Sequence, residues 1–303
     1  MRLIDLRCDW ALQYAAESSQ YDPAEYAEIP ARLARLDGYL MGTSLAVLGS
    51  RRKPADWARQ ADPWHALGEM LAGYAAEFSG RLLHGPEDVA RWRAEPQWGL
   101  CWGVLAVDGL DALIRTPADL DRLAGLFGRG VRLFGPVAGE LGPAFLERLL
   151  ELAPAGPGPR PALDLGGADA RTVADVLDWF EADGARPQRL PLVHAAGDVD
   201  ALGPDLVRRL RSLGATIGVS PRTSVEAFRG VVEGLAALPF RGRAGYEGIG
   251  VATDFLASDD VPPELDDVDK LVAWAVATFP VAGAPLLLAE NARRLVLATA
   301  GAA

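Results

Sequence analysis

The residues in this chain best suited to chemistry fall at the ends of short apolar runs. Arg7 and Asp9 follow "LIDL", Asp108 follows "CWGVLAV", and Asp164 stands in "ALDLGG". His194 ends "LPLVH", and Asp254 follows "GIGVAT". Carboxylates converging with one histidine form either a metal site or a charge network, because both groups ligate zinc and both serve as general acid or base. Each also has a plainer role. A lone histidine is more often a hydrogen-bonded core residue than a ligand, an arginine can be a structural ion-pair partner, and Asp commonly caps a helix. Gathered at strand ends, they favour one shared polar site over independent caps. In "LIDLRCDW" (3–10), Asp5, Arg7 and Asp9 alternate with Leu6 and Cys8, so on a strand all three share a face.

Short apolar runs alternate with amphipathic stretches along the whole chain. Strands are expected at 3–8, 39–48, 101–107, 131–134, 161–165, 190–194, 214–219 and 248–253. Helices are expected at 63–79, 86–94, 117–127, 143–152, 170–183, 203–213, 223–236, 266–278 and 284–298. Thr116 with Pro117, and Gly203 with Pro204, are helix start signals. Alternating βα units imply a parallel sheet, and eight of them suggest closure into a (β/α)8 TIM-type barrel of the metal-dependent-hydrolase kind, one domain over 1–303. A doubly wound open sheet is the runner-up. Against it, "LRCDWALQY" after the first strand contains no glycine to cradle a dinucleotide. The Pro/Gly-rich "APAGPGPRP" (153–161) falls between a helix and a strand and reads as a surface loop.

With a net charge of -11, the chain has no basic excess to neutralise phosphates, which excludes a nucleic-acid partner. The one basic cluster, "SRRKPADWAR" (50–59), reads as a solvated loop. No window approaches a membrane span and no secretory leader is visible, so a soluble cytoplasmic protein is expected. Cys8 and Cys101 form neither a disulfide framework nor a zinc pattern. Trp10, Trp57, Trp64 and Trp102 could line a pocket, although packing is the commoner role of tryptophan.

In this order of motifs the chain resembles the membrane (renal) dipeptidase family of zinc-dependent barrel hydrolases. "IDLRCD" (4–9) is similar to that family's Ile-Asp-Gly-His-x-Asp strand, and "LAVDG" (105–109) to its Gly-Val-Glu-Gly. "GVR" (130–132) matches a Gly-Val-Arg segment, "DLGG" (164–167) stands for Asp-Leu-Ser-His, and "VH" (193–194) for Ser-His. "VATDF" (251–255) resembles Gly-Ser-Asp-Phe, and "AENARRLV" (289–296) the closing Glu-Asn-x-x-Arg helix.

The resemblance implies two zinc ions held at the positions of Arg7, Asp9, Asp108, Gly167 and His194, with Asp254 beside the attacking water. Arg7 and Gly167 depart from that pattern. A guanidinium offers no lone pair and glycine has no side chain. Asp108 keeps a carboxylate on a stem one methylene shorter, and the family's substrate-carboxylate arginine has no counterpart in "AAGDVDALGPD" (195–205). Without metal, Asp9, Asp108 and Asp254 would repel one another, and Arg7 is expected to supply the missing positive charge. The leading expectation is therefore a dipeptidase-like barrel with no cofactor and no dipeptidase activity, binding a small molecule or peptide. The alternative is a hydrolase with one zinc on Asp9, Asp108 and His194 and Asp254 as general base. A third is metal-free chemistry with Asp254 and His194 as acid and base. A homodimer is implied by the resemblance alone.

Overall fold

The computed structural model describes residues 3–8, 44–50, 61–94, 101–197, 199–222, 224–253, 261–266 and 268–302. Asp9, Trp10, Trp57 and Asp254 lie outside the described residues. The strands are β1 (Ile4–Cys8), β2 (Ser44–Ser50), β3 (Cys101–Val107) and β4 (Val131–Phe134). They continue as β5 (Ala162–Asp164), β6 (Leu192–Gly197), β7 (Thr216–Val219) and β8 (Ile249–Val251). Neighbours pair in parallel in chain order, and β8 returns to β1 through the pair Asp5 and Val251. The sheet is thus curled into a barrel fold, with helices between successive strands from β2 onward.

The main helices are α1 (Pro63–Glu77), α2 (Pro86–Ala94), α3 (Arg122–Gly128), α4 (Gly142–Leu152) and α5 (Ala170–Glu181). After them come α6 (Pro204–Leu213), α7 (Val225–Ala237), α8 (Val268–Thr278) and α9 (Asn291–Thr299). Several start where a side chain satisfies a free N–H. Asp62 accepts from His65 N at 3.0 Å, Asp169 from Thr172 N at 2.7 Å, and Ser224 from Ala227 N at 3.0 Å. Two helix expectations are corrected. The stretch expected as one helix at 117–127 opens as a 3-10 turn, Pro117–Asp121, because Asp119 folds back to accept from Thr116 N and Oγ1, both at 2.9 Å. The last expected helix divides at a π turn, Leu286–Glu290, before α9.

Register sorts the strand residues into two faces, because residues paired in a parallel ladder point the same way. Leu133 pairs with Ala162, and Asp164 with Val193. Leu133, Ala162 and Val193 share one buried cluster with Leu6, Ala195 and Ala252, which is the barrel interior. Phe134 pairs with Leu163 and Ile217 with Ile249, and these pack with the helices in a second cluster. The N-terminal end of the interior is closed by α9. Asn291 Nδ2 donates to Tyr246 O and Ile249 O beside the start of β8, while Thr299 O accepts from Arg160 N just before β5.

The same end carries two buried arginines that hold loops by their carbonyls. Arg132 Nη1 donates to Phe127 O (2.8 Å) and Val131 O (2.9 Å), and its Nε and Nη2 donate to His84 O. Arg211, wholly buried, donates to Leu238 O (3.0 Å), Gly245 O (2.9 Å) and Glu247 O. Burial pulls both guanidinium pKa values down to about 10.

Candidate functional site

In a parallel barrel the C-terminal strand ends form the mouth where ligand chemistry collects. Asp108, the residue after β3, is half-buried there, and its Oδ1 accepts from Gly109 N at 2.7 Å. Its carboxylate is enclosed by two glycines from the neighbouring strand ends. A Cβ on Gly135 would meet Asp108 Oδ1 at 2.6 Å and its Cα at 3.0 Å, so only glycine lets the β4 end lie this close. Gly167, beyond β5, has φ +83°, and a Cβ there would stand 3.6 Å from Asp108 Oδ2. Positions 108 and 167, paired by the resemblance as carboxylate and histidine, are therefore neighbours.

Asp164 ends β5 facing the interior, and it is buried. Its Oδ1 accepts from Gly166 N at 3.0 Å and from Ala195 N at 3.1 Å. The side chain thus supplies an acceptor to β6 where the β5 backbone turns away.

His194, expected at the site, stands elsewhere on its strand. β6 does not end at His194; it runs on to Gly197. His194 pairs with Ile217, and its neighbours Val193 and Ala195 line the interior, so the buried imidazole leaves the strand on the helix-facing side. Counting strand ends from the last apolar residue misplaced it by half a strand period. Asp5 is likewise on the outer face, paired with Val251. Its Oδ1 accepts from Arg7 N at 3.0 Å and from Thr253 N at 2.9 Å, and its Oδ2 from Thr253 Oγ1. Asp5 thereby links the first and last strands just below the mouth. Arg7 follows in β1, half-buried, where the register with β2 shifts between Asp5 and Cys8. The sites expected at Asp9 and Asp254 lie outside the described residues.

Of the tryptophans considered as pocket walls, Trp102 is buried in the interior cluster near the start of β3, away from the mouth. Trp64 packs on the outer core under the Arg122 guanidinium, 4.7 Å from its ring centroid. One residue that the sequence reading did not single out belongs to the mouth. Ser220 follows β7 directly and is buried, and period-two counting from Gly218 would have found it.

Of the positions that the resemblance pairs with zinc, Arg7 and Gly167 offer no donor atom, and His194 pairs with Ile217 of the helix-facing cluster. Among the described residues, no group of three or more His, Cys, Asp or Glu could hold a metal ion. Among them, too, no helix is long and apolar enough to cross a membrane.

A curled parallel sheet with a polar C-terminal mouth defines an α/β barrel protein. In fold it is similar to solved dipeptidases. The crystal structure of dipeptidase AC, a metallopeptidase of family M19, matches with a TM-score of 0.69 at 15% identity, over 100% of this chain and 99% of that one. The probable dipeptidase PvdM from Pseudomonas aeruginosa matches with a TM-score of 0.63, also at 15% identity, over 100% and 96% of the two chains. No family model and no curated protein matches the sequence.

Proposed function

We propose that this chain is a complete (β/α)8 barrel of the dipeptidase type that binds a small molecule or peptide at its mouth without a dinuclear zinc centre. On this reading it has no dipeptidase activity and works as a soluble cytoplasmic binding protein. The observation that carries the proposal is the contact between positions 108 and 167. A side chain at 167 would reach Asp108 Oδ2 from 3.6 Å, and glycine puts no ligand there. Arg7, on the strand that in the resemblance supplies a histidine, carries a permanent positive charge in its place. That charge offsets the carboxylates that metal would otherwise hold together.

The alternative places one zinc on Asp9, Asp108 and His194, with Asp254 as general base. It requires His194 and Asp108 to address one cavity, whereas His194 pairs with the helix-facing Ile217. Elemental analysis of the purified full chain, combined with a dipeptide hydrolysis assay, tests the proposal. Substoichiometric zinc and no hydrolysis are expected. One or more zinc ions per chain, with hydrolysis abolished by chelator, would establish the metalloenzyme reading instead.

A further inference from the structure

The β7 side of the mouth differs from the rest. Asp108 follows β3 and Asp164 ends β5, and a ligand anion near either would be repelled. β7 lies four strands from β3 around the sheet. Its inward position is Gly218, where a Cβ would meet Ala252 Cβ at 2.7 Å and Ala195 Cα at 3.3 Å. Ser220 repeats that orientation two residues further on, at the mouth. It is 7% exposed, and its Oγ, shut from water, has no hydrogen-bond partner. Native proteins rarely leave a buried hydroxyl unpaired, and an orphan of this kind at a binding face is a place where a ligand atom belongs. Arg222 follows, half-buried, and α7 begins at Val225, so the positive end of a helix dipole adds to the guanidinium.

We propose that Ser220 and Arg222 form a seat for the carboxylate of a small-molecule ligand. The hydroxyl donates one hydrogen bond and the guanidinium supplies charge-assisted ones. This assignment rests on the reading of the mouth as a metal-free binding site. It makes the β7 end the anionic-group subsite and leaves the Asp108 and Asp164 wall for the ligand's neutral or cationic part.

Titration of the 15N-labelled full chain with acetate, and with acetamide as the uncharged control, tests the seat. Acetate is expected to shift the Ser220 and Arg222 signals saturably, and acetamide is not. Arg222→Gln and Ser220→Ala should each weaken acetate binding by about tenfold or more, the loss expected for a hydrogen bond to a charged group. Ser220→Ala should leave the melting temperature unchanged or raised, because the deleted hydroxyl had no partner. Equal responses to acetate and acetamide, or acetate binding unaffected by both substitutions, would overturn the seat. So would a lowered melting temperature in Ser220→Ala. A chelator arm separates the two proposals. Acetate binding that is lost with chelator and restored by zinc refutes the metal-free reading. Zinc-free protein that binds no acetate refutes the seat alone.

Discussion

The two ends of the barrel use backbone groups in opposite ways. At the N-terminal end, Arg132 and Arg211 are ringed by carbonyl oxygens, three backbone acceptors each. At the C-terminal end backbone N–H groups point at carboxylates: Gly109 to Asp108, Gly166 and Ala195 to Asp164, Arg7 and Thr253 to Asp5. Each guanidinium spends donors on three backbone carbonyls, so that end holds loops in place. The carboxylates instead accept from backbone N–H groups where the strands end. The contrast teaches that one end meets backbone carbonyls with cations and the other meets backbone N–H groups with anions.

The contrast can be broken most severely at the arginines. Arg211→Ala strips three backbone carbonyls of their donor and leaves a cavity, and unfolding by urea should report a loss of about 4 kcal/mol. A loss below about 1 kcal/mol would show that the loop at 238–247 holds without its clasp. At the other end, Asp164→Ala orphans the N–H groups of Gly166 and Ala195 and should cost about 2–3 kcal/mol. Asp164→Asn keeps an acceptor oxygen and should cost clearly less, so equal losses in the two variants would mean that charge rather than hydrogen bonding decides.

The smallest effect concerns pH. His84 N donates to Asp88 Oδ2 at 2.9 Å, and its carbonyl is held by Arg132. Burial first, and the Arg132 charge second, lower its pKa from 6.5, against an opposing pull from Asp88. The unfolded chain therefore takes up a proton before the folded one does. The stabilisation is complete above 6.5 and declines as pH falls from there toward the lowered folded value. His84→Gln should flatten this part of the stability profile, and an unchanged slope would assign it to another group.

Much of the scaffold was legible because strand and helix patterns differ in period. β3 and β4 occupy the expected 101–107 and 131–134, and α2 the expected 86–94. Proline and side-chain caps set the starts of α1 and α6 within a residue. What escaped was orientation. β2 runs on to Ser50 past the expected 48, and β6 continues through His194 to Gly197, because an apolar run does not mark where a ladder ends. The Asp108 and Gly167 neighbourhood was legible as a motif order, since both follow strand ends. Period-two counting places Ser220 at the mouth, but its lack of a partner was not legible, because nothing in "GVSPR" distinguishes a partnered hydroxyl from an orphan.

The bond between Asp5 and Thr253 also bears on the order of assembly. It joins residues 248 positions apart, whereas the Arg211 clasp on Glu247 spans 36 and the Arg132 clasp on His84 spans 48. Loop closure grows with the logarithm of length, so the Asp5 link costs about 2 kcal/mol more in chain entropy than the Arg211 clasp when each forms from open chain. The clasps each enclose a single βαβ-sized stretch and need no other part of the sheet. The N-terminal end can therefore set in sections while the chain is still open, and the seam between β1 and β8 closes late. A polypeptide that stalls before that step would have its loops pinned and its mouth still unformed.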